Sequence, residues 1–259
     1  MDIRYSEEQG MLRDSVHKFI EQDYSFEARR NIIDGPEGGR PDNWSLFADL
    51  GWLTIPFSEE DGGYGGSATD IAIIMEEFGK GLVVEPWLTS MVLAGFLIGK
   101  LGSEEQKAAL IEPLMSGELK VALAYNEPQA RYSLADVSAL AHRARDGYIV
   151  NGHKSVVLHG DTAERLIVVA RTAGEQREQY GISFLLIDPD QMGVRRRAYT
   201  TVDGHRAAEL FFDNVTVAAD GLLGPENEAY PHLSQAVDRA TIAVCAEAVG
   251  AMDTALWKT

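Results

Sequence analysis

Two short stretches hold the residues whose types and spacing could do chemistry. In "ALAYNEPQARYS", residues 122–133, an apolar run passes into Asn126-Glu127-Pro128, and Pro128 biases Glu127 toward an extended backbone. Backbone N–H and C=O groups at such a strand end face outward, although taken alone the segment is only a strand end. In "NGHKSVVLHGDTAERLIVVART", residues 151–172, Asn151-Gly152 reads as a turn, followed by Lys154 and a run into a buried strand. Other candidates are weaker. "EEDGGYGG" at 59–66 has four glycines within five positions but neither phosphate-loop spacing, so it reads as a tight connection of positive-φ glycines between helices. The six histidines show no H-x-x-x-H spacing and no cysteine partners, which gives no metal site. There is no G-x-S-x-G elbow, and the single Cys245, in "ATIAVCAEAVGA", reads as a buried helical thiol. "RRR" at 195–197 reads as a solvated strand end.

The elements that must position these residues change character along the chain. Residues 1–118 read as helical. "SEEQGMLRDSVHKFIEQD" starts at a Ser6 cap and carries Met11, Leu12, Val16, Phe19 and Ile20 on one face. "PDNWSLFADLGW" and "ATDIAIIMEEFGKG" give two more helices, stopped at Gly51 and at Gly79 or Gly81. "EPWLTSMVLAGFLIGKLG" is apolar on nearly all sides and belongs mid-bundle, and "SEEQKAALIEPLMSGE" starts at Ser103 and pauses at Pro113. From 119 to 217, short runs rich in β-branched and aromatic residues, punctuated by Asp-Gly, Asn-Gly, Asp-Pro and Asp-Asn, indicate a small antiparallel barrel or sandwich. After Gly224-Pro225 a long helix carries Ile242, Val244, Val249, Met252 and Leu256. The fold class is therefore α+β. The expected domains are a helical bundle over 1–118, a β-domain over 119–224, and the first helix of a helical domain over 225–259.

Composition narrows the function classes. Forty acidic against 23 basic side chains give a net charge of −17, which argues for solubility and against a nucleic-acid footprint. One cysteine forms no intramolecular disulfide, so a reducing compartment is expected. "MDIRYSEEQG" has no apolar signal region, and no stretch reaches the ~18 uninterrupted apolar residues of a membrane span. A cytoplasmic protein with no membrane span is the expectation.

Taken in order, "SEEQGMLRDSVHKFI", "LFADLGWLTIPFSEEDGGYGG", "IMEEFGKG", "LGSEEQKAALIEPLMSGE", "YNEP", "DGYIVNGHKS", "LFFDNVTV" and "LLGPENE" resemble the acyl-CoA dehydrogenase family over almost the whole chain. The resemblance implies FAD as cofactor and oxidation of an acyl-CoA thioester to the 2,3-enoyl-CoA. It also implies an electron-transfer flavoprotein or similar acceptor, and assembly with another copy or a paralogue. It places Thr259 with about the last third of a family member still to come.

The same resemblance implies site residues. The family's T-E-P-x-A-G-S-D lies over Asn126 to Ser133, keeping Glu127-Pro128 and Ala130 and replacing Gly-Ser-Asp with Arg131, Tyr132 and Ser133. N-G-x-K-x-W-I-[TS]-N lies over Asn151 to His159, putting Val156 where a tryptophan flanks the flavin and Leu158 where a hydroxyl meets N5. The implied cofactor contacts are Leu123, Tyr125, Asn126, Arg131, Tyr132, Val156, Val157 and Leu158, and the implied substrate contacts are Ser133, Asp238 and Thr241. Ala240 occupies an alternative position of the catalytic glutamate, so no catalytic residue is assigned: the base lies beyond the chain or is absent from this subunit. The altered lining resembles subunits of heteromeric enzymes that act on dicarboxylyl- or steroid-side-chain thioesters. A non-catalytic partner subunit that binds no flavin is the alternative.

Overall fold

The structure, a computed structural model, describes residues 4–35 and 40–258. Local signals start most helices. α1 (Glu7–Asp23) opens on a capping box in which Ser6 and Gln9 exchange hydrogen bonds of 3.1 Å. It buries Val16, Phe19 and Ile20, whereas Met11, expected on that face, is exposed. Nine residues separate Met11 from Ile20, half a turn round the helix. A short α2 (Phe26–Ile33), capped by Ser25, was not anticipated, because it buries only Ile32. α3 (Pro41–Asp49) and α4 (Ala68–Gly81) follow, the latter ending in a left-handed Leu82. A π-helical segment, Trp87–Gly95, continues into α5 (Phe96–Leu101) and is buried on nearly all sides, as expected for mid-bundle. α6 (Glu104–Met115) starts at Ser103 but runs through Pro113 rather than pausing there. Phe47 lies 5.1 Å from Phe19 and 5.0 Å from Trp52, and with Phe78 and Trp87 these rings form an aromatic centre. The glycine-rich connection is structural: Gly62 and Gly65 are left-handed, and a Cβ on Gly63 would lie 2.5 Å from that of Phe57.

The strands are β1 (Val121–Ala124), β2 (Leu140–Ala144), β3 (Gly147–Leu158), β4 (Arg165–Arg171), β5 (Ile182–Ile187), β6 (Val194–Thr200), β7 (Arg206–Ala218) and β8 (Leu222–Leu223). They form one sheet in the order β6-β7-β3-β2-β4-β5-β8, with β1 beside β4. The expected antiparallel pairing holds for most of it. β1 and β4 instead run parallel, Val121 opposite Arg165, because the β2–β3 hairpin intervenes and makes their connection a crossover. One face packs Tyr148, Val150, Leu166, Leu185 and Phe212 into the sheet's own core. The other face of β1, β4 and β5 sends Leu123, Ile167, Val169 and Phe184 into the helical core. Burial on both faces is why β4 reads as a continuous apolar run.

Asn151-Gly152 is not a turn. It lies inside β3, where the register slips between Val150 and Gly152, and Asn151 Oδ1 accepts from the N–H of a left-handed Asn214 at 2.9 Å. The dipeptide serves a bulge here, while Arg145-Asp146 make the β2–β3 turn and Gly147 already pairs with Ala144. Arg195, Arg196 and Arg197 lie on the edge strand β6. Arg195 covers the Phe211 ring, and the other two pair with Asp190 and Glu209.

α7 (Tyr230–Lys258) docks through Leu233, Ala236, Ala240, Ala243 and Gly250. Its backbone meets α4 directly: a Cβ on Gly250 would lie 1.8 Å from the Glu76 carbonyl, and one on Gly79 1.9 Å from that of Glu247. Ile242, Val244, Val249, Met252 and Leu256 are all exposed. Cys245, expected to be buried, is exposed as well. It stands nine residues, half a turn, from the buried Ala236. Among the described helices α7 alone is long and apolar enough to cross a membrane. Docking of its small residues along α4 gives part of that apolarity a packing cause.

Candidate functional site

Beyond β1 the chain folds over the middle of β3, and a buried ion pair holds it there. Glu127 and Lys154, both with fully buried side chains, meet at 2.6 Å. The remaining acceptor capacity of Glu127 is filled by the N–H of Ser138 at 2.8 Å, the N–H of Ala139 at 3.1 Å, Gln129 Nε2 at 2.7 Å and the Ser138 hydroxyl. Burial pushes the Glu127 carboxyl up. The Lys154 charge and the hydrogen bonds from Lys154, Ser138 and Gln129 outweigh it and hold the group below its ordinary value. Ser155 N–H adds a 2.9 Å bond to the Asn126 carbonyl. Gly152 lets the 139 backbone close in, since a Cβ there would lie 2.5 Å from that of Ala139.

Arg171 fixes the far side of the same loop. Its guanidinium donates to the carbonyls of Val137, Ala173, Tyr180, Ala135, Gln176 and Glu178 at 2.8–3.2 Å. A residue read only as the end of an apolar run thus positions the chain that satisfies Glu127.

This rim carries several of the residues implied by the sequence. β3 pairs through Lys154 and resumes at Val157, and between them Val156 stands half-exposed at φ +50°. A β-branched residue in the left-handed region is strained by about 1–2 kcal/mol. Val156→Asn is therefore expected to raise the unfolding free energy by about 1 kcal/mol, because Asn tolerates this conformation. Urea unfolding measures it, and a loss of stability would contradict the strain. Tyr125, Asn126 and Leu158 are half-buried nearby. Leu123 and Val157 are buried, Leu123 in the helical core and Val157 in the sheet's own core, so they offer a ligand only their backbone. Arg131, Tyr132 and Ser133 are exposed on the loop, Arg131 at φ +50°. Asp238 and Thr241 are exposed on α7, about 60° apart around its axis.

Next to Leu158 a cavity of about 360 Å³ opens between α4, the turn before the π-helical segment, and α7. Phe78, Leu88, Leu158 and Val244 give it apolar walls. His159, His205 and Glu247 supply polar groups that sequence reading did not single out, since they come from separated parts of the chain. The His159 and His205 rings meet edge-to-face at 5.9 Å. Burial, reinforced by His205, Arg206 and Lys120, pushes the His159 imidazole down to about 3, so it is neutral at physiological pH. Burial, with Asp203 nearby, pushes the Glu247 carboxyl up.

The profile of the acyl-CoA dehydrogenase N-terminal domain matches residues 6–118, and that of the middle domain matches 122–215. The chain belongs to the acyl-CoA dehydrogenase family. It is 29% identical over 258 residues to the short-chain specific acyl-CoA dehydrogenase of Clostridium acetobutylicum, covering 96% of this chain and 66% of that protein. It superposes on an acyl-CoA dehydrogenase from Geobacillus kaustophilus with a TM-score of 0.87 and 28% identity, over 98% of this chain and 68% of the other. A chain in the electron transferring flavoprotein structure of Acidaminococcus fermentans matches with a TM-score of 0.88 and 27% identity, over 99% and 68%. The chain thus spans about two thirds of the length of these relatives.

Proposed function

We propose that this chain supplies the flavin rim and the acyl cavity of an FAD-dependent acyl-CoA dehydrogenase subunit, which converts an acyl-CoA thioester to its 2,3-enoyl-CoA. The observation that carries this reading is the rim stapled by Glu127 and Lys154. Among the described residues the backbone N–H groups of Asn126 and Glu127 find no acceptor there, and half-exposed Val156 and half-buried Leu158 lie on the strand beside them. Free donors beside an apolar ledge fit a flavin ring, which needs polar contacts at one edge and dispersion contacts on its face. Bound FAD would supply the hydride-accepting chemistry. Asn126 and Glu127 would orient its polar edge, Val156 and Leu158 would cover the ring, and Tyr125, Arg131 and Tyr132 would border the approach. Val156 in place of an aromatic forfeits ~1 kcal/mol of stacking.

Leu158, shared by rim and cavity, puts an acyl chain held in the cavity next to the ring. Ser133, Asp238 and Thr241 are proposed to touch the thioester's carrier. Ala240, which faces the helical core, has no proton-abstracting group. The wider proposal is a subunit that pairs with another copy or a paralogue, passes electrons to an electron-transfer flavoprotein, and works in the cytoplasm. The apolar lining at Val156 and Leu158 also favours a second reading, a partner subunit that holds no flavin.

Titration of the chain with FAD, followed by flavin fluorescence, is expected to saturate at one site. Once loaded, the chain is expected to reduce no electron acceptor when an acyl-CoA is added. Absence of saturation favours the second reading, and acceptor reduction would show that the chain holds its own base.

A further inference from the structure

The cavity beside Leu158 contains groups that an unsubstituted alkyl chain leaves unsatisfied. His159 is 4% exposed and lines the cavity, and its ring makes no hydrogen bond among the described residues. The His205 ring makes none either, and nor does the carboxylate of half-buried Glu247. The other charged side chains along the wall are already engaged. Arg29 donates to the carbonyls of Leu82 and Asp203, both at 2.6 Å. Glu85 accepts from Tyr24 at 2.7 Å and Asn43 at 2.6 Å. Asp203 accepts from the Thr201 hydroxyl. Three carboxylates against one guanidinium leave the lining acidic, which opposes a chain ending in a free carboxylate. A ligand that fills the cavity displaces water from these groups, and leaving them unpaired beside it is costly, so a ligand that supplies partners is favoured.

We propose that this cavity takes an acyl chain bearing a hydroxyl group, whose O–H donates to Glu247 and whose oxygen accepts from the His159 ring N–H. The inference rests on the acyl-CoA reading above and narrows it, away from dicarboxylyl chains. Glu247 and His159 then each have a complement: the carboxylate accepts and the neutral imidazole donates. A hydroxyl does both at one atom. A methyl group in its place would leave both protein groups dry and unpaired, which is how a polar site discriminates strongly against an isostere.

The test compares 8-hydroxyoctanoyl-CoA with the isosteric nonanoyl-CoA, by equilibrium binding to the wild-type chain and to Glu247→Ala and His159→Phe. The hydroxylated thioester is expected to bind about tenfold more tightly to wild type, and either substitution is expected to bring the ratio close to one. Equal binding of the two by wild type, or a tenfold ratio that survives both substitutions, overturns the proposal. If neither thioester binds, the acyl-CoA reading fails. Benzyl alcohol against ethylbenzene, followed by the His159 and His205 imidazole resonances, then decides the cavity's preference on its own. Shifts induced by the alcohol alone support it, and equal or absent responses overturn it.

Discussion

Lys154→Met is expected to lower the unfolding free energy by about 3–5 kcal/mol, because it strands the Glu127 carboxylate where water does not reach. Glu127 and Lys154 are both fully buried, and no other cation contacts the carboxylate among the described residues. Four hydrogen bonds would still solvate Glu127, so the cost arises from the lost charge partner rather than from lost bonding. The double variant Glu127→Gln/Lys154→Met is expected to recover much of the loss, because a neutral amide keeps the shape without a buried charge. The pH dependence has a defined sign. The Glu127 carboxyl is depressed in the folded state, so its contribution is complete above the ordinary carboxylate range. It is lost as pH falls through the depressed value, and wild type and Lys154→Met should therefore converge in acid. Urea unfolding across that range measures both effects. A cost under 1 kcal/mol at neutral pH would show that the pair does not hold the rim.

Gly250→Ala is expected to destabilise the chain by about 1–3 kcal/mol or more, although alanine is the better helix former by ~1 kcal/mol. The added methyl would lie 1.8 Å from the Glu76 carbonyl oxygen and 3.2 Å from the Lys80 nitrogen, both backbone atoms of α4 that cannot rotate aside. The helices must separate, and Glu247, one turn earlier, moves with them. Gly10→Ala in α1 provides the contrast, since nothing lies within 4 Å of its added methyl. That variant is expected to gain about 0.5–1 kcal/mol from propensity alone. Thermal unfolding of the two, side by side, separates packing from propensity. Equal stabilisation of both would contradict the direct backbone crossing.

What the sequence made legible follows the range of the interactions. Ser6 and Ser103 announce helix starts within three residues, and the caps lie where that local chemistry puts them. Asn151-Gly152 misleads because the same dipeptide suits a hairpin turn and a bulge, and only the partner strand, with its own left-handed Asn214, chooses between them. Cys245 misleads because α7 is apolar on more than one side, and only the crossing with α4 decides that the alanine–glycine face turns inward. Glu127 and Lys154 were visible as parts of two motifs, but their pairing depends on β1 and β3 meeting across the fold. The cavity left no local signature: His159 follows β3, His205 precedes β7 and Glu247 sits within α7. The Gly-Ser-Asp replacement by Arg131, Tyr132 and Ser133 falls on exposed loop backbone, and nothing in the structure explains the choice of those side chains.

Hydrogen–deuterium exchange of the chain with and without FAD reports where the cofactor sits as well as whether it binds. Slower exchange on loading is expected at residues 125–133 and 155–159, where, among the described residues, the Asn126 and Glu127 N–H groups find no acceptor beside Val156 and Leu158. The edge strand β6 at 194–200 should be unaffected. Protection confined to β6 or α1, or no change anywhere at saturating FAD, would contradict the proposed flavin rim.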